Sequence, residues 1–457
     1  MPAELPNATL RPVNKPTGSF TRRSFLKTLS AAGLAAPFVT HDLIARPPNS
    51  ILRHASFGAA GMAWEDIREI TKYKRVELIA VAEVDLRRTG ELKKRFPSTR
   101  IYQDWRELLD EEAKRLDSVN VSTPDHMHAP IAMSAMQLGK NVYCQKPLTH
   151  DLYEARKLTE FACSKGLVTQ MGIQIHSTSF YRMAAVLVQA NAIGPIKEVH
   201  SWAASGWGDP TPRPDTSDPV PDGFDWDLWL GVCAPRPFIN KAYYHPVNWR
   251  KRLDFGTGSL GDMGCHILDP VFMAVGLSVP LSVRSEGAAP NQWNWALDSR
   301  IQYIFPGTTF TAGKRLPVNW YDGSARPPSE IRTLLEGDEL PGTGSIFVGT
   351  QGVMVLPHVS RPLLYPDKKF KNLKFPDVKA DDHWGSYVEA CLGGTPTTAG
   401  FGYSGPLAET VLVGTVATRF PKTTLHWNAA GLAFAEAEAN QFVRRQYRDG
   451  WGVTGLS

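Results

Sequence analysis

The stretch that most narrows the choice of fold runs from Ser118 to Leu148, SVNVSTPDHMHAPIAMSAMQLGKNVYCQKPL. A short apolar run, Val119 to Val121, reads as a strand ending at Ser122-Thr123-Pro124. A helical pattern follows, with Ile131, Ala135 and Leu138 on one face and Gly139 as its stop. Val142 to Cys144 reads as a second strand, which delivers Lys146 to its carboxyl end before Pro147 fixes the exit. Strand, helix and strand within about thirty residues make the βαβ unit of a parallel sheet. Open parallel sheets bind ligands just beyond the carboxyl ends of their strands. Thr123, Pro124, Asp125, His128 and Lys146 all fall there.

The residues before this unit repeat the rhythm. Ile51 to Phe57 reads as a strand, followed by Gly58-Ala59-Ala60-Gly61-Met62-Ala63 and a helix to about residue 73. Against the dinucleotide fingerprint G-x-G-x-x-G, the first glycine is kept as Gly58, while Ala60 and Ala63 hold the other two places. A methyl at Ala60 crowds a pyrophosphate approaching the backbone. Gly61 and Met62 open the helix whose N-terminus would face such a group. The strand Val76 to Ala82 then runs into Glu83-Val84-Asp85. An acid at Glu83 accepts both ribose hydroxyls and repels a 2′-phosphate, which favours NAD. Arg87 and Arg88 follow at once and can hold that phosphate, so NADP stays open; an exposed acidic turn is the plain structural alternative. Tyr102 to Asp104 reads as a turn, with a helix through Leu108 and Leu109. After Lys146 come a helix carrying Leu152, Ala155, Leu158 and Phe161, and a strand from Leu167 to Gly172 that leads to Gln174 and His176. Residues 50–172 are therefore expected to form a doubly wound, dinucleotide-binding domain.

The texture changes in residues 173–457. Short alternating segments (Ile196 to Ala203, Ser282 to Glu286, Ser299 to Phe305, Thr308 to Ala312, Ser345 to Val348, Val353 to Leu356) predict an antiparallel or mixed sheet. Val318 to Gly344, rich in Gly and Pro, reads as a lid or surface insertion. Trp202, Trp207, Trp226, Trp229 and Trp249 crowd one region. Such rings are more often core anchors, with one or two expected to line a cleft for the apolar faces of sugar rings; Trp207, Trp249 and the adjacent Arg250 are the candidates, with Gln174 from the first half. The sharpest signal here is Gly258-Ser259-Leu260-Gly261-Asp262-Met263-Gly264-Cys265-His266-Ile267-Leu268-Asp269. Asp262 and His266, four apart, share a helix face. A carboxylate one turn from an imidazole can orient it and raise its pKa, as a general acid/base requires. Asp269 lies on roughly the same side, but no further histidine or carboxylate cluster completes a metal site, so no metal is expected.

Composition bounds the partners. Of the formal net charge of +5, residues 1–46 carry +4, leaving a near-neutral body with no basic stripe for nucleic acid. Five scattered cysteines without a CxxC pair read as buried thiols rather than a disulfide framework. At the N-terminus Thr21-Arg22-Arg23-Ser24-Phe25-Leu26-Lys27 precedes an apolar run from Leu29 to Val39. This matches a twin-arginine export signal, which predicts the twin-arginine translocase as a partner and a periplasmic or otherwise exported protein. Neither Ala36 nor Ala45 has a small residue two places before it, so cleavage and retention as an anchor both stay open.

Together these pieces resemble the Gfo/Idh/MocA family of glucose–fructose oxidoreductase and inositol dehydrogenase-like enzymes. The resemblance spans roughly residues 50–450 and rests on Ser122-Thr123-Pro124-Asp125-His126-Met127-His128, Gln145-Lys146-Pro147, Gly258 through Asp269, and the tail motifs Tyr403-Ser404-Gly405-Pro406 and Tyr447-Arg448-Asp449-Gly450-Trp451. It implies an α/β protein: an N-terminal Rossmann domain with a parallel sheet, then an α+β domain with an open, mostly antiparallel sheet, a C-terminal helix and often an oligomer surface. It implies Lys146 as catalytic lysine, Asp262 as its acidic companion and His266 as acid/base. Thr123, Pro124, Asp125 and His128 match the turn that cradles the nicotinamide and ribose. Gln145 stands where the family usually has glutamate, which removes a charge beside Lys146. The expectation is an exported, nicotinamide-dependent oxidoreductase of a sugar, glycoside or polyol, with tightly bound NAD or NADP and a homo-oligomeric state. Two alternatives share the fold: a glycosidase working by transient oxidation, elimination and hydration, and a non-catalytic sugar-binding relative.

Overall fold

A computed structural model describes residues 50–457; the arginine pair and the apolar run after it lie outside the described residues. The first lobe is built on a six-stranded sheet in the order β3-β2-β1-β4-β5-β6, and all its pairings are parallel. Its strands are β1 (Leu52–Phe57), β2 (Val76–Ala82), β3 (Arg100–Tyr102), β4 (Ser118–Val121), β5 (Asn141–Gln145) and β6 (Thr169–Gly172). Every residue of β4 is buried, as expected of a strand covered by helices on both faces. The chain order reverses between β1 and β4, so the carboxyl ends of these two strands border the ligand crevice. Tyr102 closes a short edge strand rather than opening a turn, because β3 pairs only with the end of β2. The first helix, Met62–Ile70, stops three residues short of the expected end.

The second lobe carries a nine-stranded sheet in the order β13-β12-β11-β7-β10-β9-β8-β14-β15. Its strands are β7 (Ile196–Ala203), β8 (Ser282–Ser285), β9 (Arg300–Pro306), β10 (Arg315–Asp322), β11 (Gly344–Gly349), β12 (Val353–Pro357), β13 (Leu363–Tyr365), β14 (Thr424–Asn428) and β15 (Ala433–Phe434). Among its ladders β7 with β10 runs parallel and the others antiparallel.

Two expectations fail here. Thr308 to Ala312 is a turn that makes a single bridge to Ile196 rather than a strand, because the Thr311 hydroxyl accepts from the Thr308 N–H and curls the backbone. The strand lies further on, as β10, where the glycines and prolines of Val318 to Gly344 suggested irregular chain; Pro317 sits inside it opposite Ile304. The rest of that region is no lid. Ile331 and Leu335 pack against Trp202, Ile346, Val353 and Val355 and cover part of the sheet's outer face. The other face is covered by the helices Ser179–Gln189, Gly258–Val275 and Phe401–Ala417. One continuous apolar core runs through both lobes, so the strand ends of the first are held against the long helix of the second.

Candidate active site

The glycine turn after β1 is shaped for close approach. Gly58 has φ +104°, and a Cβ there would lie 2.9 Å from both the Ala63 Cβ and the Ser122 carbonyl oxygen. Only a residue without a side chain fits between β1, the following helix and the end of β4. Gly61 caps the helix and is exposed with Met62, so the helix N-terminus opens toward solvent, beside a half-buried Ala60. Glu83 is buried at the end of β2. Its two oxygens accept from the N–H groups of Ala59 and Asp85, at 2.9 Å each. Burial raises its pKa against those bonds. Rather than standing free for a ribose, as the sequence suggested, its carboxylate braces the glycine turn.

At the end of β4, Thr123 keeps a buried hydroxyl without a protein partner, half-covered beside Pro124. Asp125 is buried and accepts from the Thr257 hydroxyl at 2.7 Å, joining this turn to the start of the second lobe's long helix. Burial pushes its pKa up to about 7. The expectation for His128 needs correcting: its ring is buried, with both nitrogens 2.8 Å from carbonyl oxygens, those of Pro147 and Thr123. Burial lowers its pKa to about 4, so the ring is neutral at pH 7 and donates to one of the two carbonyls. It ties the Thr123 turn to the Lys146 turn and faces neither crevice nor solvent.

Lys146 emerges from β5 and crosses to the second lobe. Its Nζ donates to Asp262 Oδ1 at 2.8 Å and to the Asp262 carbonyl at 2.6 Å. Arg250 Nε donates to the same Oδ1 at 3.0 Å, and Trp207 Nε1 donates to Oδ2 at 2.8 Å. Burial alone would raise the Asp262 pKa, but the ionic contacts with Lys146 and Arg250 outweigh it and hold it well below the usual carboxylate range. This carboxylate thus bonds to two cations and an indole rather than to His266. The helix spacing does place His266 one turn along, on the same helix. Its pKa is not raised, as expected from a neighbouring acid, but lowered well below 6.5, first by burial and then by the Lys146 charge. Its Nδ1 is buried without a partner. A neutral imidazole with a free nitrogen beside an ammonium can take a proton from a hydroxyl held between them.

Of the clustered tryptophans, Trp202, Trp226, Trp229 and Trp249 are core. Trp249 supports the Arg250 guanidinium, 4.3 Å from its ring centre, and only Trp207 of the five touches the Asp262 carboxylate. Gln174 is half-buried and donates to the Tyr143 hydroxyl at 3.4 Å.

Three neighbours, His358, His383 and Asp66, escaped the sequence reading. His358, after β12, lies with its ring centre 6.0 Å from that of His266 and is bonded to the Tyr181 hydroxyl at 2.8 Å. Its pKa is lowered by burial and by Lys146, as that of His266 is. Asp269, expected on roughly the same side as Asp262, turns away from this group: it accepts from Tyr403 at 2.7 Å and pairs with His176 Nδ1 at 2.9 Å. His383 has a buried, unpartnered Nε2. Asp66 is fully buried behind Gln145. A lone histidine in a loop or at the start of a helix, or an acid inside an amphipathic helix, carries no spacing that could have marked these. Among the described residues no group of three or more His, Cys, Asp or Glu is arranged to hold a metal ion.

Two models of one family match the chain: the oxidoreductase family's NAD-binding Rossmann fold over residues 52–173, and its C-terminal alpha/beta domain over residues 202–309. Levoglucosan dehydrogenase of Pseudarthrobacter phenanthrenivorans is 24% identical over 197 residues, 43% of this chain and 42% of that protein. The scyllo-inositol 2-dehydrogenase (NADP(+)) IolW of Bacillus subtilis is 21% identical over 57% of this chain and 63% of its own length. The chain thus spans less than two thirds of these curated relatives. In fold it is similar to the WlbA dehydrogenase of Bordetella pertussis, solved with NADH and UDP-GlcNAcA, with a TM-score of 0.58 at 14% identity, covering 83% of this chain and 98% of that one. The first model falls on the lobe with the six-stranded parallel sheet and the second on part of the lobe with the nine-stranded sheet, and the chain belongs to the Gfo/Idh/MocA oxidoreductase family.

Proposed function

We propose that the chain oxidises a hydroxyl-bearing carbon of a sugar, glycoside or polyol, or reduces the corresponding ketone, with a nicotinamide dinucleotide as hydride partner. The observation that carries this reading is the meeting of Lys146, from the end of β5, with Asp262 on the helix that also carries His266. The first lobe fits a dinucleotide: Gly58 lets β1 turn tightly into a helix whose exposed N-terminus, at Gly61 and Met62, suits phosphates, and the orphan Thr123 hydroxyl is free to bond a ligand. Gly58, Ala60, Gly61 and Met62 would hold the phosphates. Glu83 would act on the ribose site by bracing the glycine turn, and Thr123, Pro124, Asp125, Gln145 and Lys146 would hold the nicotinamide end. When bound, the cofactor supplies a carbon that accepts or returns hydride.

The chain's own groups handle the proton and the charge. Lys146, held in place by Asp262, donates to the substrate oxygen and stabilises the negative charge that grows on it. His266, neutral because it is buried beside that ammonium, takes the hydroxyl proton through its free nitrogen. Asp262 steadies Lys146 rather than the imidazole. General acid/base help of this kind contributes about 10²–10⁴-fold. The relatives named for levoglucosan and scyllo-inositol support a cyclic polyhydroxy substrate.

The test is direct. Purified protein is mixed with NAD or NADP and a panel of sugars, glycosides and inositols, and absorbance of the reduced cofactor is followed. Reduction with at least one substrate, lost in Lys146→Met, is expected. No reduction with any substrate, together with no dinucleotide released from natively purified protein, refutes the reading. Release of an aglycone without net reduced cofactor would point to the glycosidase instead. Export through the twin-arginine pathway is part of the same proposal and rests on Thr21 to Val39. Residues 1–46 fused to a folded fluorescent reporter should move it out of the cytoplasm, and Arg22→Lys with Arg23→Lys should stop it.

A further inference from the structure

Position 145, directly before Lys146, holds an amide, Gln145. The structure shows what that amide faces. Gln145 Nε2 lies 3.1 Å and 2.9 Å from the two oxygens of Asp66, on the helix after the glycine turn. The same carboxylate accepts from the Ser122 hydroxyl at 2.7 Å and from Trp384 Nε1 at 3.0 Å. Asp66 is fully buried. Burial raises its pKa to about 6, which leaves it ionised at pH 7. It therefore ties together the first helix, the end of β4, the end of β5 and, through Trp384, the helix His383–Cys391 of the second lobe. Room for the amide comes from β6: a Cβ on Gly172 would lie 2.7 Å from the Gln145 side chain.

We propose that the buried Asp66 carboxylate and the Gln145 amide form the positioning element that sets Lys146 and the Ser122-Thr123-Pro124 turn. This rests on the nicotinamide-dependent reading of the site. A glutamate at 145 would bring two carboxylates within about 3 Å, where both cannot ionise and one must hold a proton. With glutamine there, the pocket keeps one charge, with the Gln145, Ser122 and Trp384 donors directed at it and the Tyr143 hydroxyl beside them. Asp66 touches neither substrate nor cofactor in this scheme. It acts through Gln145 on the next residue, Lys146, and through Ser122 on the next residue, Thr123.

A charge swap tests the pairing. Asp66→Asn leaves these donors competing for one acceptor, and Gln145→Glu sets acid against acid. In the double variant the amide and the carboxylate exchange places. The amide on the helix then donates to the carboxylate at the end of β5, and its oxygen accepts from Trp384. The Ser122 hydroxyl, which can accept as well as donate, turns to match. Each single variant should lower kcat by roughly 10- to 100-fold, the range for losing a charge-assisted hydrogen bond, with a smaller effect on substrate KM. The double variant should recover at least tenfold over the product of the two singles. A double variant no better than that product overturns the proposal. So does a pair of singles that lose melting temperature while kcat is unchanged, since that is structure without positioning. If Asp66→Asn alone does not fold, the same rescue is read as soluble yield and melting temperature, and a double variant that stays unfolded overturns the pairing. NADH binding is followed by fluorescence in all four proteins. If the wild-type chain neither binds NADH nor turns over, the functional reading fails, while recovery of melting temperature in the double variant still decides whether Asp66 and Gln145 are paired.

Discussion

Separating Lys146 from Asp262 should cost far more than an ordinary surface ion pair. The Nζ–Oδ1 distance is 2.8 Å, and the two side chains are only 14% and 16% exposed. At an effective dielectric near 20, a pair at this distance attracts by about 6 kcal/mol before desolvation. Removing two nearly buried ions from water returns more than half of that. The remaining coupling is about 2–3 kcal/mol, in line with charge-assisted hydrogen bonds. The perturbations are Lys146→Met, Asp262→Asn and both together, with the coupling read from urea denaturation of the four proteins at pH 7. Asp262→Asn should be the costlier single change, because it leaves Lys146 and Arg250 facing each other across an amide. Because Asp262 is held below the usual carboxylate range, its contribution is complete at neutral pH. It declines only as the pH falls through that range and beneath it. A coupling below about 0.5 kcal/mol, the worth of an exposed pair, would refute the argument that this bridge is buried and joins the lobes.

Other outcomes follow from the same geometry. Asp125 holds its proton more firmly folded than unfolded, with a pKa of about 7 against 3.8, so it favours the folded state at low pH and that advantage is lost as the pH rises through 7. Asp125→Asn should therefore flatten the stability–pH curve over that window by about 4 kcal/mol, measured as denaturation midpoints at several pH values. His266, neutral far below 6.5, should add no inflection near that pH to the profile of kcat/KM, and an inflection lost in His266→Asn would contradict its placement. Gly172→Ala should destabilise by about 1–3 kcal/mol through overpacking against Gln145, seen as a lower melting temperature with the fold retained by circular dichroism. Glu409→Gln should cost about 3 kcal/mol, since its carboxylate is nearly buried, pairs with Arg156 at 2.8 Å and accepts from Trp427 Nε1 at 2.7 Å; a thermal melt unchanged from wild type would refute this.

Local chemistry wrote some of this molecule directly into the chain. Apolar runs of strand length between a glycine turn and periodic helices could only be strands of a covered parallel sheet, so β1, β2, β4 and β5 were legible. So was the arrival of Lys146 at a strand end, and so was the shared helix face of Asp262 and His266, because a helix repeats every 3.6 residues whatever surrounds it. What a side chain bonds to across the lobes is not local. Periodicity put Asp262 beside His266, but the ammonium reaching over from β5 and the guanidinium from Arg250 bind a carboxylate more strongly than a buried neutral imidazole does. The same holds for Gln145, whose amide makes sense only opposite Asp66, and for His358, which lies near His266 because two strands of a nine-stranded sheet bring it there. Strand and helix identity follow from neighbours in sequence. Charge state and partnership follow from burial and from neighbours in space, and those existed only once the two lobes had packed.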